Sequence, residues 1–531
     1  MAEAAEHRGR VTKNAVVLMV LTLASRIAGL VRDSSITHYF GASGQTDIFY
    51  MAFTIPNVLR RLVAEGTLTV TFQPAYQKVR ADKGEEAARH FFAAITGFVL
   101  VAVTAIVVVG ILASGLLVLA FAAGFSAEPG KFEATVELTR WLFPVVVFIS
   151  LVALSMAVLN AHDVYGSPAL APVVMNLSMI AFTIIGATTF SRPIMGVVVG
   201  VLVGGVLQLA VQIPPLVKRG LLERPSFRWN SPDVRSVLYG FLPGLFALAV
   251  YQVNIVVLRR LASYLPEGSV SYYYNADRIM ELTNGVFAIA IAQGAFTLMN
   301  ELAAKKDFPG LIGLWRFSFK LQNMIAIPAA IGLAALAEPI IAVLFLHGQF
   351  TWDDTKQTAV NVMCAAPGLV AAATVRGTAQ MFYSLEDRRT PVYVSVVVVI
   401  ANLMIGWMSM TLGFGIAGLS ATLAIANWIQ ATLLVVLLRR KLGALGMPGV
   451  LGAGALKLML GAAAGAAAWA VSRLGDWQQG PSIKNVGVLA LAIVVAVVIY
   501  GVGAFVMRFE GVDIIANKIT NKLRRLRRAV H

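Results

Sequence analysis

Arg26 and Arg32 stand in one apolar stretch of this chain, Arg60 and Arg61 in the next, and each stretch is long enough to cross a bilayer. A charge at the centre of a membrane helix costs roughly 2.5 to 3.5 kcal/mol on insertion scales, so such residues face a bundle interior, a water-filled cavity or a partner rather than lipid. Carboxylates lie within helical reach. Ser25 and Arg32, like Arg26 and Asp33, are seven apart and nearly share a face; Arg61 and Glu65 are four apart, as are Asp277 and Glu281, and Arg278 lies three before Glu281. Positive charge nevertheless exceeds negative on the first two stretches. Excess guanidinium suits an anionic ligand, and its planar fork of donors favours phosphate or diphosphate. Ion pairs that merely fix helix register account poorly for Arg26, Arg32 and Arg60. Arg259 and Arg260, near a span end, read instead as side chains snorkelling to an interface, and Lys320, Arg376 and Lys457 fit either account.

The elements that position these residues are membrane spans. The chain has 531 residues, 58% hydrophobic and 13% charged, with mean hydropathy +0.77. Soluble domains carry about a quarter charged residues, so the composition is that of an integral membrane protein. The net charge of +16 does not point to nucleic acid, because the basic residues fall mostly in short segments between apolar runs, where they anchor spans to anionic lipid. Cys364 is the single cysteine, which excludes an internal disulfide, and the scattered histidines His7, His38, His90, His162, His347 and His531 have no ligand spacing. No metal site and no cofactor are expected. Arg8, Arg10 and Lys13 lead into a long first span without a cleavage pattern, unlike a signal peptide.

A span takes about 20 mostly apolar residues, and the hydropathy pattern predicts an all-α polytopic membrane protein with fourteen transmembrane helices between residues 14 and 507. With the N-terminus inside, the cytoplasmic segments collect Lys78, Arg80, Lys83 and Arg89, then Lys218, Arg219, Arg224, Arg228 and Arg235, then Arg388 and Arg389, then Arg439, Arg440 and Lys441. The opposite side keeps only Lys131, Arg140, Arg192, Lys356, Arg473 and Lys484. This bias predicts that both termini are cytoplasmic. Along the tail Val512, Ile515, Ile519, Leu523, Leu526 and Val530 recur at helical spacing among basic residues, a pattern for an amphipathic helix on anionic lipid.

An internal repeat is visible. Tyr50, Ala52 and Ile55 match Tyr274, Ala276 and Ile279; Pro168 matches Pro391; and Gln208 matches Gln430, all at nearly constant offset. The repeat predicts two six-helix halves related by a pseudo-two-fold axis, with a substrate site between them. The expected divisions are 1–219 and 220–441 for the halves, 442–508 for two appended helices and 509–531 for the basic tail. In this frame Arg32, Asp33, Asp47 and Arg278 fall toward the outer half of the membrane, and Arg26, Arg60, Arg61 and Glu65 near its middle or inner half. Carboxylate–arginine bridges from Asp33 and Asp47 to Arg278 are expected as an outer gate, with Arg61, Glu65, Asp277 and Glu281 in support.

The run Ser25-Arg26-Ile-Ala-Gly-Leu-Val-Arg32-Asp33, Gly41-Ala42, Thr46-Asp47, Pro56-Asn57-Val-Leu-Arg60-Arg61 and Ala64-Glu65-Gly66, with Ala276-Asp277-Arg278 and Glu281, resembles the MurJ (MviN) lipid II flippases of the multidrug/oligosaccharidyl-lipid/polysaccharide exporter superfamily. The resemblance covers essentially the whole chain. It implies a bacterial inner-membrane protein that moves undecaprenyl-diphosphate-linked peptidoglycan precursor outward by alternating access. It also implies that Arg26, Arg32, Arg60 and Arg278, with Ser25 beside them, belong to a cationic substrate cavity, and that Asp33 and Glu65 matter to function. Family members have a proposed cation site in the second half; here Asn254, Asn402 and Thr422 are weak candidates without an acidic ligand, and the coupling cation is left open. Cell-wall synthesis partners are unspecified.

The physical reading agrees. The head group of a lipid-linked diphosphate cannot cross hydrocarbon and its tail need not leave it, so the carrier needs a hydrated cationic chamber open sideways to lipid. The last two spans are candidates for a tail groove. There is no GxxxxGK[ST] motif, so the membrane potential or an ion gradient is expected to reset the cycle. A cationic-drug exporter needs an anionic or aromatic cavity, which the arginines contradict. A lipid-diphosphate enzyme needs clustered acid, base or nucleophile, which the sequence lacks.

Overall fold

The computed structural model describes residues 2–62 and 69–510, and the regular elements in them are helices. Glu65 and nearly all of the basic tail lie outside the described residues. Two compact units emerge: Met1–Ser271 with Gly348–Phe350, and Tyr272–His347 with Thr351–His531. This grouping by contact places the helix Pro232–Ala262 with the first unit. The expected halves follow a repeat in sequence, which is a different property of the chain.

The first unit holds α1 (Ala2–Phe40), α2 (Gly44–Arg60), α3 (Thr69–Leu112), α4 (Ser114–Ala122), α5 (Lys131–Leu142), α6 (Val145–Ala161), α7 (Gly166–Thr189), α8 (Ile194–Lys218), α9 (Pro232–Ala262) and the first turn of α10 (Ser269–Ala304). Helix α1 stops where Gly41 takes a left-handed φ of 63° and its N–H returns to the Thr37 carbonyl at 2.8 Å. Two residues on, Ser43 opens α2 with a capping box, its own N–H donating to Thr46 Oγ1 at 2.8 Å.

Residues 78–89, expected to form a link between spans, are helical. α3 runs through them and turns only at Gly84, whose φ of 87° is open to glycine. The charged residues there favour helix outside the membrane as readily as the apolar ones inside it. Helices α7 and α8 approach closely enough that a Cβ on Gly186 would sit 2.5 Å from the Gly196 Cα. Small residues thereby replace the hydrophobic drive that lipid does not supply.

In the second unit α10 continues into α11 (Phe308–Ala335), α12 (Ala337–Phe345), α13 (Trp352–Ala365), α14 (Gly368–Ser384), α15 (Arg389–Thr411) and α16 (Gly415–Leu442), followed by α17 (Met447–Ser472) and α18 (Ile483–Val506). Trp315, Leu311, Met299, Phe382, Leu434 and Leu438 form one core. α17 packs on α11 and α18 on α17, while Val494, Val497, Val498 and Val502 of α18 stay exposed, as a lipid-facing surface would be.

Among the described residues nine helices are long and apolar enough to cross a membrane, or ten if α13 and α14, bent by 41°, make one span. α2, with 17 residues, is shorter than such a span.

Candidate functional site

Arg32 and Asp33 are buried on α1. Arg32 uses the two edges of its fork differently: Nε and Nη2 donate to Asp33 Oδ1 at 2.9 and 2.6 Å, and Nη1 donates to Asn176 Oδ1 on α7 at 2.9 Å. The Asn176 amide then donates to the Ser25 carbonyl at 3.1 Å. Asn176 therefore clips α1 to α7 at two points two turns apart on one face of α1, in keeping with α1 lying along α7. Sequence reasoning missed Asn176; its signal is an amide in an otherwise apolar run.

Arg26 is half-buried on the same helix, Arg60 and Arg61 are half-buried at the end of α2, and Arg60 Nε donates to Asn57 Oδ1 at 2.7 Å. Three arginines of the first unit are accordingly left partly open to their surroundings, whereas Arg32 is enclosed. Beside Arg60, Leu59 joins Ala105, Ile106, Val109, Gly110, Ala113 and Leu117 in an apolar groove of about 370 Å³.

Asp47 is buried and its carboxylate is held by backbone. Oδ2 accepts from Gly268 N–H at 2.8 Å; Oδ1 accepts from Ser271 N–H at 2.9 Å and from Ser271 Oγ at 2.7 Å. In the opposite sense the Glu267 carboxylate accepts from Gly44 N–H. Asp47 thus caps the N-terminus of α10 and Glu267, just before α10, caps that of α2, where unpaired N–H groups and the helix dipole favour negative charge. Within the first unit Asp33 is bonded to Arg32 of its own helix, and Asp47 to the leading turn of α10.

In the second unit Arg278 is half-buried and Nη1 donates to Glu281 Oε2 at 2.8 Å, three residues along the same helix, while Asp277 is exposed. Of the candidate cation residues, Asn402 and Thr422 are buried, and Thr422 Oγ1 donates to the Gly418 carbonyl at 2.8 Å. Asn254 belongs to the first unit. No cluster of three or more His, Cys, Asp or Glu suited to a metal occurs among the described residues.

Outside the spans, His162 closes α6. Its Nε2 shares a 2.9 Å hydrogen bond with Tyr76 Oη, Arg219 Nη1 donates to its carbonyl at 2.6 Å, and Arg80 Nη1 donates to the Ala161 carbonyl at 2.9 Å. Burial first, and then the Arg80 charge, lower its pKa below 6.5.

The chain as a whole is similar to known proteins. The sequence model of the family described as lipid II flippase MurJ matches residues 36–506. The probable lipid II flippase MurJ of Bdellovibrio bacteriovorus is 33% identical over 510 residues, covering 96% of this chain and 97% of that one. That of Vibrio cholerae is 31% identical over 436 residues, 80% and 82% of the two chains. The fold is similar to a solved lipid II flippase MurJ in an inward closed conformation, with TM-score 0.76, 21% identity and coverage of 93% of this chain and 99% of that chain. An inward-facing multidrug resistance MATE transporter of the MOP superfamily aligns with TM-score 0.63 at 17% identity, covering 81% and 95%. This chain belongs to the lipid II flippase MurJ family.

Proposed function

We propose that this chain is a transporter that moves lipid II, the undecaprenyl-diphosphate-linked peptidoglycan precursor, from the inner to the outer leaflet of the bacterial cytoplasmic membrane by alternating access. The observation that carries the proposal is the family match across residues 36–506 in a chain whose first two helices hold an excess of guanidinium. In this reading Arg26, Arg60 and Arg278 meet the diphosphate. Arg32 acts partly through the scaffold, fixing Ser25 and α1 against α7 by way of Asn176. Asp33, Asp47, Arg61, Glu65, Asp277 and Glu281 hold or release the helix ends around it. A guanidinium fork matches two phosphate oxygens at once, which suits a head group that must be bound in hydrated surroundings and released on the other side.

The finer topology belongs to the same proposal: fourteen spans, both termini cytoplasmic, α17 and α18 offering a tail groove, and the tail beyond residue 509 resting on anionic lipid. Energy comes from the membrane potential or an ion gradient, with one charge moved through 100 mV worth roughly 2.3 kcal/mol; a cation bound in passing is compatible with this. The test is accessibility. With Cys364→Ser as background, cysteines at 26, 60 and 278 are expected to react with a polar thiol reagent in membranes, and lipid II is expected to slow the reaction. Protection of all three under every condition would refute the shared aqueous chamber.

A further inference from the structure

At the end of α18 the chain folds back. Phe509 N–H bonds the Ala504 carbonyl at 3.0 Å and Arg508 N–H the Phe505 carbonyl at 3.1 Å. Arg508 takes the left-handed position, φ 49°, that closes such a turn. Phe509 is buried with Met324, Ala464, Tyr500 and Ala504, and Glu510 is thereby brought to α11, its Oε1 2.6 Å from Lys320 Nζ. Lys457 on α17 arrives from the other side. Its Nζ donates to the Lys320 carbonyl at 2.7 Å and lies 5.8 Å from the centre of the Phe509 ring.

The charges here do not balance. Lys457 is only 2% exposed. An ammonium has three donors, and among the described residues one oxygen accepts from it and no carboxylate touches it. Glu510 serves Lys320 alone, with its side chain 56% exposed. A buried ammonium with unmet donors is expensive, and two neighbouring ammonium groups call for an oxyanion with several acceptor oxygens. The surroundings identify the carrier of that anion: Leu456, Leu458, Met459, Val502, Phe505 and Val506 are exposed apolar neighbours on α17 and α18, a surface for acyl or prenyl chains and not for a soluble ligand.

We propose that Lys320 and Lys457 form a binding site for the phosphate of an anionic lipid, for which Glu510 competes. The site is built from residues of the second unit alone and does not depend on the flippase reading. The test uses the purified full chain in detergent, with bound lipid counted by native mass spectrometry during titration with phosphatidylglycerol, phosphatidylcholine or undecaprenyl phosphate. Glu510→Gln removes the competing charge and is expected to tighten phosphatidylglycerol about ten-fold, and Lys457→Met to weaken it by about as much, each a factor that corresponds to one decade of Kd. Phosphatidylcholine is expected to respond to neither. Undecaprenyl phosphate binding more tightly than phosphatidylglycerol, with the same response, would assign the site to prenyl carriers, and equal binding to any anionic lipid. Unchanged phosphatidylglycerol binding in Glu510→Gln would overturn the proposal, as would equal responses from phosphatidylcholine or full competition by inorganic phosphate. Glu510 is exposed, so its variant decides the matter even if Lys457→Met does not fold.

Discussion

Arg32 shows how one residue type serves two ends. Its guanidinium joins Asp33 to Asn176, so charge alone does not describe what it does. Arg32→Lys keeps the charge and loses the fork; it is expected to unfold at lower temperature and to transport poorly. Removing the group altogether, in Arg32→Ala, takes the guanidinium away from a buried carboxylate and is expected to cost about 3 kcal/mol, near the low end for a broken buried pair. Asn176→Ala is expected to cost about 1 kcal/mol for its hydrogen bonds. Thermal midpoints in detergent check the order, and a wild-type midpoint in Arg32→Ala would contradict the clip. Arg32 stands out in the sequence because a charge is conspicuous against an apolar background. Its partner does not: Asn176 is 144 residues away, and no spacing rule joins residues that meet only through tertiary packing.

At the scale of elements, the helix ends carry the argument. Asp47 and Ser271 act as one unit, the acid accepting both the N–H and the hydroxyl of the serine. Loss of such a cap costs about 0.5 to 2 kcal/mol. Asp47→Ala and Ser271→Ala are expected to be non-additive in a double-mutant cycle, with a coupling of about 1 kcal/mol. Strict additivity would show that the two do not work together. A second helix end senses pH. His162 sits at the end of α6 against Tyr76, with Arg80, Glu85, Asp163 and Arg219 around it, and its pKa is lowered by burial and then by Arg80. The folded protein therefore binds this proton more weakly than the unfolded chain, so stability rises with pH there. The contribution is complete above about pH 6.5 and is lost as pH falls through the lower folded value. The thermal midpoint of the wild type should drop over that interval more steeply than that of His162→Gln; identical slopes would contradict the assignment. The helices themselves were largely legible in hydropathy. Their ends were not: α3 continues through charged residues to Gly84 because helix propensity outlasts the membrane, a transition that apolar patterning does not register.

For the whole molecule, the cationic helices were the sequence's clearest statement, and the family match gives that statement a substrate class. What patterning left open is depth and partnership. Asp33 and Asp47 were legible as carboxylates near arginines; the structure adds that Asp33 accepts from Arg32 of its own helix and Asp47 from a turn more than two hundred residues on. Arg26, Arg60 and Arg278 are half-buried, as is Arg61, and the first three are the arginines to which substrate is assigned. The direct measurement is translocation of lipid II across liposomes containing the purified chain, followed by accessibility of the head group at the far leaflet. The wild type is expected to move it, and Arg26→Ala, Arg60→Ala and Arg278→Ala to bind it weakly and move little while keeping near-native thermal midpoints. A wild type that leaves lipid II in place, or three variants that move it at the wild-type rate, would contradict the account.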